Sequence, residues 1–472
     1  MTGITTKDPE AGELYRGTLL PEEPGWEDLR RVVGDYRAML MSVMAAMADR
    51  YDRAPDYPFI DTKLDLITGE DFPADDPIRG RNAVYGWIQG RGLEAVAGHC
   101  RWMRQEGIAP DLLPRLERMM REVLGALREI RARNGGHLFF FMTPEGEPFA
   151  LDDDGSPIAT ALDSGSPHGF SDLFCSKGMY AAGQYLEDEQ AVDETLEYCR
   201  SVDAAILSRS FVTDQQPLDP KNPVRPKPGC HSHGPYMIQI GTAALMASYG
   251  ESGAVEMGLR LIRHELRHHA NTDGRVDDLQ VHDFWEAIGD DGRPYLEDGR
   301  VLCDPGHALE CVGLALKFMS TEKAEDLAGS NQRGEIAAAE AMMPRLLERG
   351  FENGYQDGPG GICKAFDLVS RSPTNTDMPW WSLPEAMRAA VFCVRVAESD
   401  RDRKMCLRTF GLCHNAFTEH FVRPDLHLMA YQTRSVTGDV AQVIPATADA
   451  DPGYHTGLSL IDVLGAIDAY RD

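Results

Sequence analysis

The stretch Val301–Met319, VLCDPGHALECVGLALKFM, joins a turn to a helix and places a titratable pair where the two meet. Its Asp-Pro-Gly at 304–306 predicts a helix start, because proline and glycine are tolerated at helix boundaries and damage helix interiors. His307 and Glu310 lie three positions apart, so they share one face of that helix near its N-terminal end. An imidazole beside a carboxylate at such a place is suited to acid–base chemistry. The alternative is a capped core helix whose histidine is only hydrogen-bonded.

Segments with the same helical periodicity recur along the whole chain, with apolar residues near i, i+3, i+4 and i+7. Twelve are found: Leu29–Arg53, Ala83–Gln105, Pro110–Asn134, Ser171–Leu186, Gln190–Arg209, Pro235–Tyr249, Gly253–Asn271, Gly306–Ser320, Gly334–Gly350, Trp380–Ala397, Asp402–Phe421 and Thr456–Tyr470. The chain shows no βαβ alternation, which argues against a Rossmann-like sheet. Twelve helices predict an all-α fold, an (α/α)6 toroid of six inner and six outer helices. In that architecture the N-termini of the inner helices line a central pocket.

Strand-like pieces are few and short. The clearest is His137–Ala150, HLFFFMTPEGEPFA, which predicts a hairpin with its turn at 144–146. No proline-rich linker divides the chain. We therefore expect residues 1–472 to form one domain, with an N-terminal extension of about 25 residues.

Composition narrows the possible partners. The chain has 472 residues, 43% of them hydrophobic, and a formal net charge of −28, which disfavours nucleic acid and anionic membranes as partners. Its ten cysteines form no CxxC pair, as is usual for reduced thiols in a cytosol. The polar N-terminus lacks the apolar core of a signal peptide, and no apolar run reaches the length of a membrane span. These features predict a soluble, cytoplasmic protein.

Three further segments carry candidate site residues. Tyr85–Arg91, YGWIQGR, places two aromatic rings and a guanidinium, which could hold an oxygen-rich ligand, at a helix start. Trp380–Glu385, WWSLPE, offers flat apolar faces of the kind on which sugars pack, and a carboxylate for hydroxyl groups. Asp451–Asp462, DPGYHTGLSLID, repeats the order of turn, histidine and helix, so His455 also lies at a helix entrance. Each has a structural alternative, since tryptophans and stacked arginines are common in protein cores.

A zinc-protease motif is also present. The segment 264–268, HELRH, matches HExxH, and Glu286 lies about where a third ligand would fall. However, Arg267 puts a charge inside a motif that normally lies in an apolar helix. The neighbouring His231 and His233 could bind a metal ion, but we interpret them as part of a loop near the pocket rim.

Together these segments resemble the N-acylglucosamine 2-epimerase family, which includes mannose isomerases and cellobiose 2-epimerases. YGWIQGR is similar to the family's Y-x-W-x-Q-G-R segment, DGRPYLEDGRVLCDPGHALE to its NPGHalE segment, and WWSLPEA to WWP[HQ]xEA. GYHTGLSLI resembles the terminal YHxxR segment, and HLFFFMTPEGEPF the family's hairpin. The ordered set, from about Tyr57 to the C-terminus, is more specific than any single motif.

The resemblance implies roles for particular residues. His307 and His455 match the two histidines that act as acid and base on C2 of a ring-opened sugar. Glu310 matches the glutamate that supports the first histidine, and Arg91 the arginine that holds the carbonyl end of the substrate. The implied substrate-binding residues are Tyr85, Trp87, Trp380, Trp381 and Glu385.

Some positions depart from the family pattern. Leu383 replaces the usual His or Gln, and Ser382 replaces the usual Pro. Leu458 stands three residues after His455, where the family often has an arginine. Ile238 falls where isomerases and cellobiose epimerases carry another histidine, which favours the N-acylhexosamine branch.

The predicted function is a sugar 2-epimerase acting on a free aldose or on an N-acylhexosamine such as N-acylglucosamine or N-acylmannosamine. A neutral imidazole, with a reference pKa of about 6.5, is a suitable base for the C2 proton. This chemistry requires neither a metal nor a redox cofactor. Alternatives are an aldose–ketose isomerase of the mannose isomerase type, a glycoside hydrolase on the same toroid, a non-catalytic sugar- or nucleotide-responsive protein, and a zinc protease. The resemblance also implies a homodimer and a possible nucleotide modulator.

Overall fold

Helices form most of the chain in this computed structural model, which describes residues 15–470 apart from 75, 153, 155, 161–164, 214–226, 322–325 and 442–450. The helices described are α1 (Trp26–Arg31), α2 (Val33–Asp52), α3 (Gly86–Glu106), α4 (Leu113–Arg133), α5 (Phe170–Leu186), α6 (Glu189–Leu207), α7 (Gly234–Ser248), α8 (Ala254–His268), α9 (Pro305–Met319), α10 (Ser330–Glu340), α11 (Met343–Gly354), α12 (Ser382–Val396), α13 (Asp400–His420), a π-helix (Tyr454–Leu458) and α14 (Ser459–Ala469).

Six helices form an inner ring: α3, α5, α7, α9, α12 and α14. Each packs on the next, and the π-helix before α14 closes the ring against α3. These helices are buried on nearly every side, as expected for helices that are apolar all round. The helices between them, such as α4 and α8, bury one face and expose the other. The predicted (α/α)6 toroid is therefore confirmed.

The start of α9 follows from its own sequence. The carboxylate of Asp304 caps the helix by accepting hydrogen bonds from the backbone N–H groups of Gly306 and His307, at 3.0 and 3.3 Å. Pro305 occupies the first turn, where no intrahelical N–H is needed. A side chain at Gly306 would meet Trp381 at 2.8 Å, so glycine permits the close approach of α9 to the start of α12. The predicted turn and helix are confirmed, and His307 lies in the first turn.

Three predicted helices differ in detail, and the first of them, Leu29–Arg53, spans the end of α1 and all of α2. Gly334–Gly350 is not one helix but two, α10 and α11, because Pro344 cannot donate to the preceding turn and its ring clashes there. The last predicted helix begins with the π-helix. Gly453, in the left-handed conformation at φ +86°, accepts the hydrogen bond of Leu458 N–H at 3.2 Å and so widens this turn.

The strands are short and lie between the helices. They are β1 (Val84–Tyr85), β2 (Phe141–Met142), β3 (Pro148–Leu151), β4 (Pro157–Ala159), β5 (His231–Ser232), β6 (Ala287–Ile288), β7 (Leu302–Cys303), β8 (Ala365–Asp367), β9 (Ser372–Asn375), β10 (Met378–Pro379), β11 (Val422–Arg423), β12 (Met429–Ala430) and β13 (Thr433–Arg434).

The predicted hairpin is confirmed as the antiparallel pair β2–β3, with Phe141 opposite Phe149. Its turn is closed by a hydrogen bond from Gly146 N–H to the Thr143 carbonyl, at 2.8 Å. Strands β1 and β4 extend it to an antiparallel sheet in the order β1-β2-β3-β4. The other antiparallel pairings are β5–β6, β7–β8–β9, β10–β13 and β11–β12.

The chain before α1 packs on the toroid where it is described. Leu20 N–H donates to the Asn415 side chain at 2.8 Å. The first fourteen residues of the predicted N-terminal extension lie outside the described part of the chain, and the single domain stays a prediction. All ten cysteines are free thiols. In the described residues, no helix has both the length and the apolar character that crossing a membrane requires.

Candidate active site

A cavity of about 710 Å³ lies where the inner helices begin. Every inner helix contributes residues from its first turns or from the segment just before it. Among the lining residues are Trp87, Arg91, Phe174, Ile238, Glu286, His307, Glu310, Lys364, Trp380, Trp381 and His455. The predicted central pocket is therefore present, and it brings together candidates that the sequence separates by more than 300 residues.

Glu286 is held beside His307 by two backbone hydrogen bonds. The His233 N–H donates to the Glu286 carbonyl at 3.1 Å, and the Glu286 N–H donates to the carbonyl of Leu302 at 2.9 Å. Glu286 thus lies between β5 and β7, directly before β6. Its carboxylate receives His307 Nδ1–H at 3.1 Å on one oxygen and 3.2 Å on the other. Since a carboxylate only accepts, Nδ1 of His307 carries the proton, and Nε2 is left for a ligand.

The electrostatics of this pair favour opposite charges. Burial would lower the pKa of His307, but the carboxylates of Asp304 and Glu286 outweigh it and raise the pKa above its ordinary value. Burial would likewise raise the pKa of Glu286, but the imidazoles of His307 and His233 hold it well below its usual range. A histidine with a raised pKa is a stronger proton acceptor, as a general base requires.

His455, like His307, donates a hydrogen bond from Nδ1 to a carboxylate, which in this case belongs to Glu385. Its Nδ1–H donates to Oε1 of Glu385 at 3.0 Å, and Glu385 is also paired with Arg388. Burial would raise the pKa of Glu385, but Arg388 and His455 hold it below its ordinary value. Trp380 Nε1–H donates to the Thr456 hydroxyl at 3.2 Å and ties the π-helix to the start of α12. His455 therefore also presents Nε2 rather than Nδ1 to a ligand.

The ring of Trp381 packs near both histidines. Its ring centroid is 5.2 Å from that of His307, with an angle of 29° between the planes, and 5.5 Å from that of His455. The two imidazoles therefore flank one indole on the wall of a single cavity. This arrangement can place two proton-transferring groups around one bound ligand.

Glu310 differs from its predicted place. The sequence pairs it with His307, but the carboxylates that contact His307 are Glu286 and Asp304. Side chains in a helix lean towards its N-terminus, so the ring of His307 points away from Glu310. Glu310 instead clusters with Glu385 and His455, and burial together with Glu385 raises its pKa. Glu310 lines the cavity, and its raised pKa favours the protonated form of its carboxyl group.

Arg91 lies in the cavity wall as predicted. Its guanidinium carbon is 4.2 Å from the ring centroid of Phe174, 4.9 Å from that of Trp87 and 5.3 Å from that of Tyr454. Its Nε–H has no hydrogen-bond acceptor among the described residues. Three aromatic rings thus orient a cation whose donors are available to an oxygen-rich ligand.

The other predicted binding residues divide into two groups. Trp87, Trp380 and Trp381 line the cavity, as the sequence predicts. Tyr85 does not line it, since its ring packs against the hairpin and its hydroxyl donates to the Ile78 carbonyl at 2.9 Å. Glu385 is also behind the wall, where it holds His455. Both residues make protein contacts, and their part in binding substrate hydroxyl groups stays a prediction.

The HExxH histidines do not form a metal centre with Glu286. His264 stacks on Tyr236 with ring centroids 3.7 Å apart, and its segment lies in the outer helix α8. Among the described residues, three groups have the composition and spacing that could hold a metal ion, and none includes His264 or His268. They are His137/His168/Asp172, His233/Glu286/His307 and Glu310/Glu385/His455. Hydrogen bonds or ion pairs account for the short contacts in the first two groups and for that between His455 and Glu385 in the third.

Two site residues carried no usable signal in the sequence. The sequence indicates Glu286 only as a possible third zinc ligand, and no motif singles out Lys364. Lys364 lines the cavity and forms an ion pair of 2.5 Å with Asp304, the cap of α9. Asp304 belongs to the Asp-Pro-Gly segment that predicts the start of α9. Of the departures from the family pattern, Ile238 lines the cavity and Leu383 is fully buried outside it.

A toroid with two carboxylate-supported histidines and an arginine in a central cavity defines a class of enzyme that moves protons on a small polar substrate. Comparison with known proteins makes this more specific. The sequence profile of the N-acylglucosamine 2-epimerase (GlcNAc 2-epimerase) family matches residues 179–449, more than half of the chain. The chain belongs to this family and is a carbohydrate epimerase or isomerase. No curated protein sequence matches it.

Solved structures share the fold at low sequence identity. A sugar epimerase from a ruminal bacterium superposes with a TM-score of 0.65 at 11% identity, over 93% of this chain and 100% of that one. Cellobiose 2-epimerase from Bacillus thermoamylovorans B4167 gives 0.63 at 11% identity, over 92% and 99%. A D-mannose isomerase gives 0.57 at 12% identity, over 89% and 97%. At such identities the likeness establishes the toroid and no more.

Proposed function

We propose that the protein is a sugar 2-epimerase in which His307 and His455 exchange the proton on C2 of a ring-opened aldose or N-acylhexosamine. The observation that carries the proposal is their matched geometry. Each histidine donates Nδ1–H to a carboxylate, at 3.1 Å and 3.0 Å, and each lines the same cavity. Both therefore keep Nε2 for the substrate, as an acid and a base on opposite faces of C2 require.

Two other cavity residues, Arg91 and Glu310, suit the negative charge that develops when the C2 proton is removed. Removal of the C2 proton is feasible only because the C1 carbonyl accepts the electron pair, which produces an enediolate. Arg91 is the cation oriented towards the ligand, and its guanidinium would stabilise that oxyanion. Glu310, whose pKa is raised by burial and by Glu385, would donate a hydrogen bond rather than add a second negative charge.

Ile238 favours an epimerase of N-acylhexosamines over an aldose–ketose isomerase. It lines the cavity at the position where the sequence lacks the histidine of the isomerases. An apolar side chain provides no polar partner there, and it suits the methyl end of an N-acyl group. Isomerisation differs in that the proton returns to C1, which a single base can shuttle.

Incubation with a panel of free sugars in D2O, followed by NMR, tests the function. Epimerisation predicts deuterium at C2 of both epimers without ketose, with N-acylglucosamine and N-acylmannosamine as the favoured pair. Ketose formation with deuterium at C1 would assign an isomerase. Ligand binding without exchange into any sugar would overturn the catalytic proposal.

A further inference from the structure

His233 is a buried histidine placed between two carboxylates. Its Nε2 lies 3.3 Å from Oε2 of Glu286, and its Nδ1 lies 3.4 Å from Oε2 of Glu265. The side chain is fully buried and does not line the cavity. Glu286 therefore has an imidazole on each side: His307 towards the substrate, and His233 towards the outer helix.

Glu265 is the glutamate of the HExxH motif, and it faces inward. Only 2% of its surface is exposed, and its one ion pair within the described chain is with His233. A buried carboxylate without a partner is costly, so this contact is what the site offers to stabilise its charge. The motif that resembles a zinc site thus provides the far end of a row of ionisable groups that reaches the cavity.

We propose that His233 and Glu265 are positioning residues that act through Glu286: the cation of His233 shares the Glu286 carboxylate with His307 and so limits the basicity of His307, and Glu265 offsets the charge of His233. The row runs Glu265, His233, Glu286, His307, with alternating carboxylate and imidazole groups. The proposal rests on the proposed function only in taking His307 as the base.

His233 supplies the positive charge in this row. Burial would lower its pKa, but the carboxylates of Glu286 and Glu265 raise it to about 10. Burial raises the pKa of Glu265, and the attraction of His233 opposes that rise. The row therefore places a cation behind Glu286 at neutral pH.

Three further aromatic rings face His233. The rings of His269, His307 and Phe284 have centroids 5.5, 5.7 and 5.0 Å away. Burial, followed by the charge of His233, lowers the pKa of His269 well below its ordinary value. Burial and His268 lower the pKa of His264 to about 4. Lys364 is a further cation near Glu286: burial would lower its pKa, but its ion-pair partner Asp304 and Glu286 raise it.

The signs of the expected effects differ between the two residues. Replacing His233 by a neutral amide removes a positive charge near His307, so the pKa of His307 rises. Replacing Glu265 by glutamine removes a negative charge farther along the row, so the pKa of His307 falls. Residues whose only role is to fill space would not raise the pKa of His307 in one variant and lower it in the other.

The test is an NMR titration of the His307 ring without any substrate. Protein labelled at the histidine ring carbons is titrated as wild type, His233→Gln, Glu265→Gln and the control His268→Gln, with His307 assigned from His307→Gln. We expect the midpoint of His307 to rise by about half a pH unit or more in His233→Gln and to fall in Glu265→Gln. His268, which lies in the same motif but outside the cavity, should leave it within about 0.2 pH unit.

The proposal is overturned if both midpoints stay at the wild-type value or move in the same direction. If His233→Gln does not fold, Glu265→Gln decides, because an unmoved midpoint overturns the proposal and a lowered one supports it. Failure of the proposed function would appear separately, as absence of C2 exchange in wild-type protein whose His307 still titrates as expected.

Discussion

The Nδ1 atom of His307 lies 3.1 Å from Oε1 of Glu286, a carboxylate that reaches it from another segment of the toroid. His307 begins α9, whereas Glu286 is held between β5 and β7, so the two meet only when the chain has closed around the cavity. The contact fixes which ring nitrogen carries the proton and directs the other one to the ligand. It thus holds the imidazole of His307 in the orientation that the proposed base requires.

The first prediction concerns this carboxylate. In Glu286→Gln the pKa of His307 should fall, because one of the two carboxylates that raise it is lost. The acid limb of kcat/KM should move to lower pH, and kcat should fall by about 10- to 100-fold because the base is weaker and less well oriented. The measurement is a pH profile of C2 exchange.

Glu335→Gln is the matched control for this change. Glu335 is a carboxylate of α10 on the outside of the toroid, paired with Arg263. Its profile should coincide with that of the wild type. An unmoved acid limb in Glu286→Gln would contradict the assigned support of His307.

Much of this architecture could be predicted from the sequence. The periodicity of an apolar residue at every third or fourth position is a local signal, and each of the twelve segments that it predicts is largely helical, although two of them are divided into two helices. The cap of α9 is local as well, since Asp304 is three residues from His307. Trp381 and His455 were found because each stands at a helix start, where inner helices meet the cavity.

The partners of the histidines could not be predicted in the same way. Glu286 and Lys364 owe their positions to pairings between distant strands, and no local pattern records them. Three residues differ in their surroundings from the sequence-based prediction, Glu310, Tyr85 and Glu385, and they were placed by spacing and by motif. Residue spacing predicts which face of a helix a side chain occupies, but not how the side chain tilts along the helix. That tilt turns the ring of His307 away from Glu310.

A second prediction concerns the start of α5. Burial would raise the pKa of Asp172, but hydrogen bonds from His137, His168 and Tyr198 lower it to about 2. A depressed carboxyl pKa stabilises the fold above the pKa of the unfolded state and loses that contribution as the pH falls through the folded value. Asp172→Asn should therefore lower the free energy of unfolding by about 2 kcal/mol at neutral pH.

The pH dependence distinguishes this effect from simple loss of packing. The difference between wild type and Asp172→Asn should stay constant above about pH 5 and shrink between about pH 4 and pH 2. Denaturant unfolding at several pH values measures it, with Asp278→Asn, at an exposed carboxylate, as the control. A difference that does not vary with pH would contradict the charge-based account.

A third prediction concerns the HExxH motif. His268→Ala should keep C2 exchange near the wild-type rate, because His268 does not line the cavity. Dialysis against a chelator should have equally little effect. Stoichiometric zinc in the purified protein, with activity lost on chelation, would revive the zinc-protease interpretation.

A fourth prediction is the oligomeric state that the family resemblance implies. We expect a homodimer formed through the outer helices. Light scattering should give a particle of twice the chain mass of 52.2 kDa. A particle of one chain mass at micromolar concentration would contradict it. Addition of a nucleotide in the same experiment, followed by an activity assay, tests the possible modulator.

The central claim is that His307 and His455 act on opposite faces of C2, and single-histidine variants test it most directly. His307→Gln and His455→Gln should each lose epimerisation by about 10²–10⁴-fold while remaining folded by circular dichroism. In D2O each variant should still exchange the C2 proton of one epimer, and the two variants should favour opposite epimers. Exchange of the same epimer by both variants, or near-wild-type turnover in either, would contradict the two-histidine mechanism.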